Sequence, residues 1–349
     1  MATPANQPRI TFALDGVPYP VIALRGEEHI NRGHYFDVTL QVDAFLKPQT
    51  LLDHQAVLEI LGPEGARRRV AGVSLSAREI AFDYDNGRKS VTVGIASRFR
   101  RLEHLAGPAL WLGLDFQGLA RTLLDEARVA HAGEIHFDLN EPHGPRPWTL
   151  RVPGETSSEL LLRRMAQEGV FYWIDSVDGH ERLTFADHNA HCPYVNGGAV
   201  REIARASLLN SDDGRPVVGV FAISAHSKAQ PGASIGHIVP AEQSVRPLAS
   251  EPRASRRPGR YVGFESGAET TPEAEDWARL QDQYHDQQSE HLTLLANRVD
   301  LAAGHCLTLE AGEDRGDYLI TEVIHHSAQA DGLTVAGKTV PYTCEATLV

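Results

Sequence analysis

Cysteine is scarce in this chain, with three among 349 residues. Cys192, Cys306 and Cys344 lie far apart and are odd in number, so no disulfide framework is indicated. A reducing cytoplasm is the compartment of synthesis that suits such usage. No apolar run approaches the roughly 20 residues that a membrane-spanning helix needs, and the opening MATPANQPRI lacks an apolar signal core. Positive charge is short as well: 33 Lys and Arg against 46 Asp and Glu leave a net charge of −13. The basic clusters Arg67-Arg68-Arg69 and Arg253 to Arg257 are brief and read as solvated loop charges, which argues against nucleic-acid binding as the main task.

Signs of covalent chemistry are thin. The chain is expected to carry no nucleophile elbow, no phosphate-binding glycine loop and no Rossmann pattern, although Ser207 to Asp213 mixes Ser and Asp. His188-Asn189-Ala190-His191-Cys192 puts three metal-ligand types in five residues beside Asp187. Zinc sites draw on two separated pairs, and no second pair at a usable spacing follows, so a loop ending at Pro193 is the reading. His325 and His326 fall late in a strand, where their rings point to opposite faces and cannot share an ion. Glu27 and Glu28 diverge for the same reason. Gly197-Gly198 reads as a linker. No catalytic, cofactor-binding or metal residue is assigned, and a non-enzyme is expected.

The length allows two or three domains, and the pattern divides into three parts. Residues 1–104 read as a closed or nearly closed β-barrel. Tyr35 to Asp43 alternates with Phe36, Val38, Leu40 and Val42 on one face, and Val57 to Leu61, Val70 to Phe82 and Val91 to Ala96 add strands around an Asp85-Asn86-Gly87 turn. Residues 105–196 mix helix and hairpin: Asp115 caps a helix through Ala127 that buries Phe116, Leu119, Leu123 and Ala127. Residues 197–349 read as a second barrel, with strands at Val217 to Ala225, Ala233 to Val239, His291 to Val299, Leu307 to Glu310, Tyr318 to His326 and Leu333 to Val340. Arg246 to Pro258 reads as a loop, and Thr271-Pro272 starts a helix to about Gln288 with Trp277, Leu280 and Tyr284 as its buried stripe. The fold class is mainly β with an α+β middle: two barrel-like domains flanking a helix and hairpin.

Trp148 to Asp187 is the most informative stretch. Thr156 and Glu159 form a capping box, Leu161, Met165 and Ala166 share a helical face, and Gly169 supplies a left-handed C-terminus. Val170 to Ile174, Asp178-Gly179 and Leu183 to Phe185 then make a hairpin. The positions Glu155-Thr156-Ser157, Leu161 to Met165, Gln167 to Val170, Tyr172 and Asp187 resemble the signature of VgrG proteins, the spikes of type VI secretion, and of late-control proteins of contractile phage tails. Pro153-Gly154 and Trp173-Ile174 depart from it conservatively. Leu24 to Ile30 with Tyr35 to Leu40, Arg257 to Tyr261, Leu301 to Leu309 and Asp317 to His325 resemble further family segments, in the family's order.

This resemblance implies a baseplate hub that forms a homotrimer, two barrels per chain giving a pseudo-sixfold ring that joins a sixfold tube to a threefold spike. The implied partners are a tube protein (Hcp-like), baseplate components and effectors or effector adaptors. The implied route is synthesis in the bacterial cytoplasm, then secretion into a target cell by a contractile machine. The family continues into an oligonucleotide/oligosaccharide-type barrel and a needle, whereas this sequence ends at Thr343 to Val349, so a truncated spike and a separate hub both stay open. A tail hub of a contractile phage is the alternative, and a metal-dependent hydrolase using His188 to Cys192 is the remote one.

Overall fold

The computed structural model describes residues 8–62, 65–83, 87–129, 134–141, 143–200, 218–229, 234–238, 246–249, 261–268, 271–310, 315–328 and 340–349. Asp85-Asn86, Ser207 to Asp213, Arg253 to Arg260 and Leu333 to Thr339 therefore lie outside the described residues.

The N-terminal part supplies β1 (Arg9–Leu14), β2 (Val17–Tyr19), β3 (Val21–His29), β4 (Gly33–Asp43), β5 (Gln55–Leu61), β6 (Arg67–Asp83) and β7 (Arg88–Ala96). The alternation expected from Tyr35 to Asp43 is present in β4, where Phe36, Val38, Leu40 and Val42 are buried. Each such side chain contributes about 1.5–3 kcal/mol of transfer free energy. β6 bridges the sheet, pairing β5 from Arg67 to Val73 and β7 from Val73 to Asp83.

The middle part holds β8 (Ala109–Leu112), α1 (Phe116–Glu126), β9 (Ile135–Asp138), β10 (Trp148–Arg151), α2 (Ser157–Glu168), β11 (Phe171–Val177) and β12 (His180–Ala186). Asp115 caps α1 by accepting from the Gly118 N–H at 2.7 Å. The capping box on α2 is formed as expected, and Gly169 ends the helix at φ 68°. The α2 stripe differs in detail: Leu160, Leu161, Arg164 and Met165 are buried and Ala166 is exposed. Asp178 and Gly179, both at positive φ, turn β11 into β12, and β9 joins β12 in parallel. α1, α2 and this sheet enclose their own apolar core around Phe116, Leu161 and Phe185.

The C-terminal part contains β13 (Tyr194–Val200), β14 (Val220–Ser227), β15 (Ser234–Ile238), β16 (Arg246–Ala249), β17 (Tyr261–Ala268), α3 (Thr271–Ser289), β18 (Glu290–Ala296), β19 (Cys306–Leu309), β20 (Gly316–Ala328) and β21 (Val340–Leu348). Gly197-Gly198 is part of strand β13 rather than a linker. Arg246 to Ala249, expected in a loop, pairs antiparallel with β15. On α3, Ala274, Trp277 and Ala278 are buried, but Tyr284 is 54% exposed and leaves the expected stripe.

The two outer parts share one sheet. Its order is β14-β18-β21-β20-β3-β4-β7-β6-β5-β1-β2, with β19 on β20 and β13 on β19. The join is β3 against β20, in register from Glu322 opposite His29 to Ala328 opposite Ala23. The described strands form an open path instead of two closed barrels, with β1 and β2 returning beside β3 and β4. One hydrophobic cluster runs through both parts, from Phe36 and Leu58 to Leu294 and Leu348. Pairing the two parts directly satisfies the β3 edge without closing a ring.

Candidate functional site

Where β3, β6, β20 and β21 meet, four polar side chains leave water together. Glu28, Arg68, His325 and Tyr342 are all buried, His325 completely. Arg68 donates to the Glu28 carboxylate with two nitrogens, Nε to Oε1 at 3.0 Å and Nη2 to Oε2. His325 Nε2 lies 3.0 Å from Glu28 Oε1, and Nδ1 lies 2.7 Å from Tyr342 Oη. With the ring proton on Nε2, His325 donates to Glu28 and accepts from the tyrosine hydroxyl, which uses every atom of the chain of bonds. Burial opposes the Glu28 charge, but Arg68 and His325 outweigh it and hold the carboxyl well below the usual range.

Arg68 corrects an expectation. The Arg67-Arg68-Arg69 run belongs to β6, not to a solvated loop, because strand alternation turns Arg68 inward to Glu28 while Arg67 pairs outward with Glu59. His325 and His326 do face opposite sides, as read from the strand, and Glu27 is exposed where Glu28 is buried.

A second group fastens the middle hairpin. Asp175 accepts from Trp173 Nε1 at 2.9 Å and meets His305 Nε2 at 2.8 Å. Burial raises the Asp175 carboxyl, yet the His305 hydrogen bond and the nearby charges leave it lowered. Gly304 lies at φ 83°, and a Cβ there would fall 2.3 Å from Trp173 Cβ, so only glycine lets this loop approach. Asn31 exchanges hydrogen bonds with the Tyr172 backbone, at 3.0 Å through its N–H and 2.9 Å through Oδ1. Arg98 bridges Glu181 and Glu134.

A third group sits at the end of α2. Arg164 pairs with Glu168, and His143 lies between Glu168 at 3.2 Å and Asp187 at 3.4 Å. Asp187 also accepts from the Asn140 and Glu141 N–H groups, both at 2.8 Å. The Glu168 hydrogen bond, stronger than the opposing burial, raises His143, while burial pushes Arg164 down to about 10. The group borders a cleft of about 690 Å³ toward α3, lined also by Arg146, Asp276 and Arg279. A surface that the sequence reading passes over is the β8–β10 ribbon. Leu112 opposite Trp148, and Leu110 opposite Leu150, are exposed on one face, the kind of apolar patch that marks an association surface.

The His188 to Cys192 cluster is not brought together. His188 is exposed and accepts from the Ala190 N–H at 3.0 Å, whereas Cys192 is buried against Cys306 and Trp173. Among the described residues no three His, Cys, Asp or Glu side chains are grouped to hold a metal ion, and no helix is long and apolar enough to cross a membrane. Two sequence strings depart from the expected absence of enzyme motifs. Gly232-Ala233-Ser234-Ile235-Gly236 spells Gly-x-Ser-x-Gly, but Ser234 opens β15 in a sheet instead of a strand-to-helix elbow. Gly332 to Thr339 spells a phosphate-loop pattern, but it connects the antiparallel strands β20 and β21, and no helix follows it.

These groups fix side chains and backbone across neighbouring elements, and among the described residues none of them aligns a nucleophile with a base. Residues of the separated sequence resemblances meet in them: Glu28 with His325, Glu168 with Asp187 through His143, and Gly304 with Trp173. The profile of the phage tail baseplate hub (GPD) family matches residues 27–331. The type VI secretion system spike protein VgrG5 of Pseudomonas aeruginosa is 25% identical over 94% of this chain, and the chain spans 41% of that relative's length. Among solved structures, the E. coli c3393 protein, a type VI secretion component described as similar to the T4 tail proteins gp27 and gp5, aligns with a TM-score of 0.68 and 13% identity, covering 97% of this chain and 76% of its own. The 43 kDa tail protein of prophage MuSo2 from Shewanella oneidensis aligns with a TM-score of 0.66 and 14% identity, covering 98% of both chains.

Proposed function

Since the chain belongs to the phage tail baseplate hub (GPD) family, we propose that it works as the hub of a type VI secretion spike. In this reading three copies close a ring that joins the sixfold tube to the threefold spike and passes effectors toward a target cell. The family match over residues 27–331 carries the reading. The single sheet through β3 and β20 supports it, because a part that transmits a contraction stroke needs its two outer segments to move as one. A heterologous interface that closes after three steps gives such a ring. The work is binding and transmission, and no covalent step is required.

Mass in solution by light scattering, over a range of concentrations, tests the assembly. A species of three chains is expected. A folded monomer at every concentration would remove the trimer from the reading of this chain. The family description also favours a second machine, the tail of a contractile phage. The two separate by partner: capture of a secreted tube protein supports the secretion spike, and capture of a phage tail-tube protein supports the tail.

A further inference from the structure

Cys192 and Cys306 are far apart in sequence, but the fold sets them side by side. Cys192 ends the short turn Asn189–His191, and Cys306 opens β19. β13 runs parallel to β19 with Tyr194 opposite Cys306, and the Cys306 N–H donates to Pro193 O at 2.8 Å. That bond holds Cys306 against the residue that follows Cys192, and the two side chains fall in one buried cluster. The Cys306 Sγ also reaches back to the turn before Cys192, donating to Asn189 O at 3.9 Å. Both are buried, and Trp173, Ala186 and Leu319 wall the pair. The backbone on either side is held: Cys192 N–H donates to Asn189 O at 3.0 Å, and Cys306 pairs with Leu319 of β20. The third cysteine is elsewhere, fully buried in the large core with its Sγ donating to Arg298 O at 3.1 Å.

We propose that Cys192 and Cys306 form a dithiol–disulfide couple, closed by a small-molecule disulfide and opened by thiols, that locks the start of β13 onto β19. The contact between the two thiols lowers Cys306 and raises Cys192, so Cys306 reacts first. Its thiolate attacks one sulfur of glutathione disulfide, the S–S bond breaks, and one glutathione thiol leaves. Cys192 then gives up its proton and attacks the Cys306 sulfur, expelling the second glutathione. Two protein thiols are oxidised and one glutathione disulfide is reduced to two thiols. Such a couple is open in a reducing cytoplasm and closed outside it. The inference stands on the shared buried cluster of the two cysteines and does not depend on the hub reading.

The test incubates the folded full chain in graded mixtures of reduced and oxidised glutathione. Thiols are then blocked, counted after denaturation and located by non-reducing peptide mapping. The free thiols should fall from three to one, with a Cys192–Cys306 linked peptide and Cys344 blocked as a free thiol. The proposal is overturned if three thiols survive the most oxidising mixture, if glutathione adds without joining the pair, or if the link includes Cys344. Cys192→Ser should leave Cys306 glutathionylated, while Cys306→Ser should leave Cys192 unmodified; the reverse pattern overturns the order of attack. The mapping needs only the wild-type chain, so it decides even where a variant fails to fold.

Discussion

Glu28 is a buried carboxylate whose charge is met by Arg68 and His325. Removing one partner of a buried ion pair costs about 3–5 kcal/mol, because the other charge stays buried alone. Arg68→Ala should therefore lower the unfolding free energy by about that amount, read as a shift in the urea midpoint with the slope unchanged. Replacing both Arg68 and Glu28 by apolar residues of similar size should recover most of the loss. A single-variant cost near zero would mean that the pair does not hold the join. The pH dependence has two signs. Glu28, Asp175 and Asp187 are lowered, so their stabilisation is present above their unfolded values and lost as pH falls through the folded ones. His143 is raised, so its contribution is complete below its ordinary value of 6.5 and is lost as pH rises through the folded one. His34 is lowered by burial and acts the opposite way, favouring the fold above 6.5. His143→Gln should thus remove a fall in stability on the alkaline side of 6.5 while leaving the acid limb of Glu28 and Asp175 in place. Chemical denaturation across pH checks this, and an unchanged alkaline limb would show that His143 does not titrate between Glu168 and Asp187.

At the scale of the element, short-range signals were legible and long-range pairing was not. The α2 capping box, the Asp178-Gly179 turn and the β4 alternation each lie within a few residues, so local rules suffice to read them. Thr156→Ala should cost about 1 kcal/mol, the usual value for a lost N-cap, in thermal or urea unfolding. A much larger loss would mean that Thr156 also supports the Ala106 bridge beside it. The pairing of β3 with β20 joins residues whose partners are set by the whole fold, and nothing near Glu28 in sequence announces His325. That is why Arg68 read as a loop charge and the Gly197-Gly198 strand as a linker. Gly304 lies within the Leu301 to Leu309 segment of the family resemblance, and the packing gives a reason for a glycine there: positive φ and the face of Trp173 exclude any side chain. Gly304→Ala should accordingly destabilise well beyond the ~1 kcal/mol of an ordinary glycine replacement, because Trp173 must move, and Asp175 and His305 with it. Tryptophan fluorescence would report that displacement. An Ala variant with wild-type stability and emission would remove the close approach from the account.

For the whole molecule, the consequence of one shared sheet is that the three sequence segments need not fold alone. A fragment of residues 1–196 keeps β3 but loses β20, so the backbone groups from Ala23 to His29 on that side have no partner. It also loses His325 and Tyr342 from around the Glu28 carboxylate, and the C-terminal half of the large apolar cluster from Val200 onward. The middle core around Phe116 and Phe185 is self-contained and should survive. The fragment is therefore expected to keep helical far-UV signal from α1 and α2, lose the cooperative unfolding of the β part, and associate through the open strand edge. Adding residues 197–349 in trans should restore the missing strand and the single transition. Cooperative unfolding of the isolated fragment, as a monomer, would show instead that the N-terminal part is an autonomous domain. The β3–β20 pairing would then be a docked contact, and the stroke-transmitting role proposed for the hub would have to be carried by the trimer interface alone.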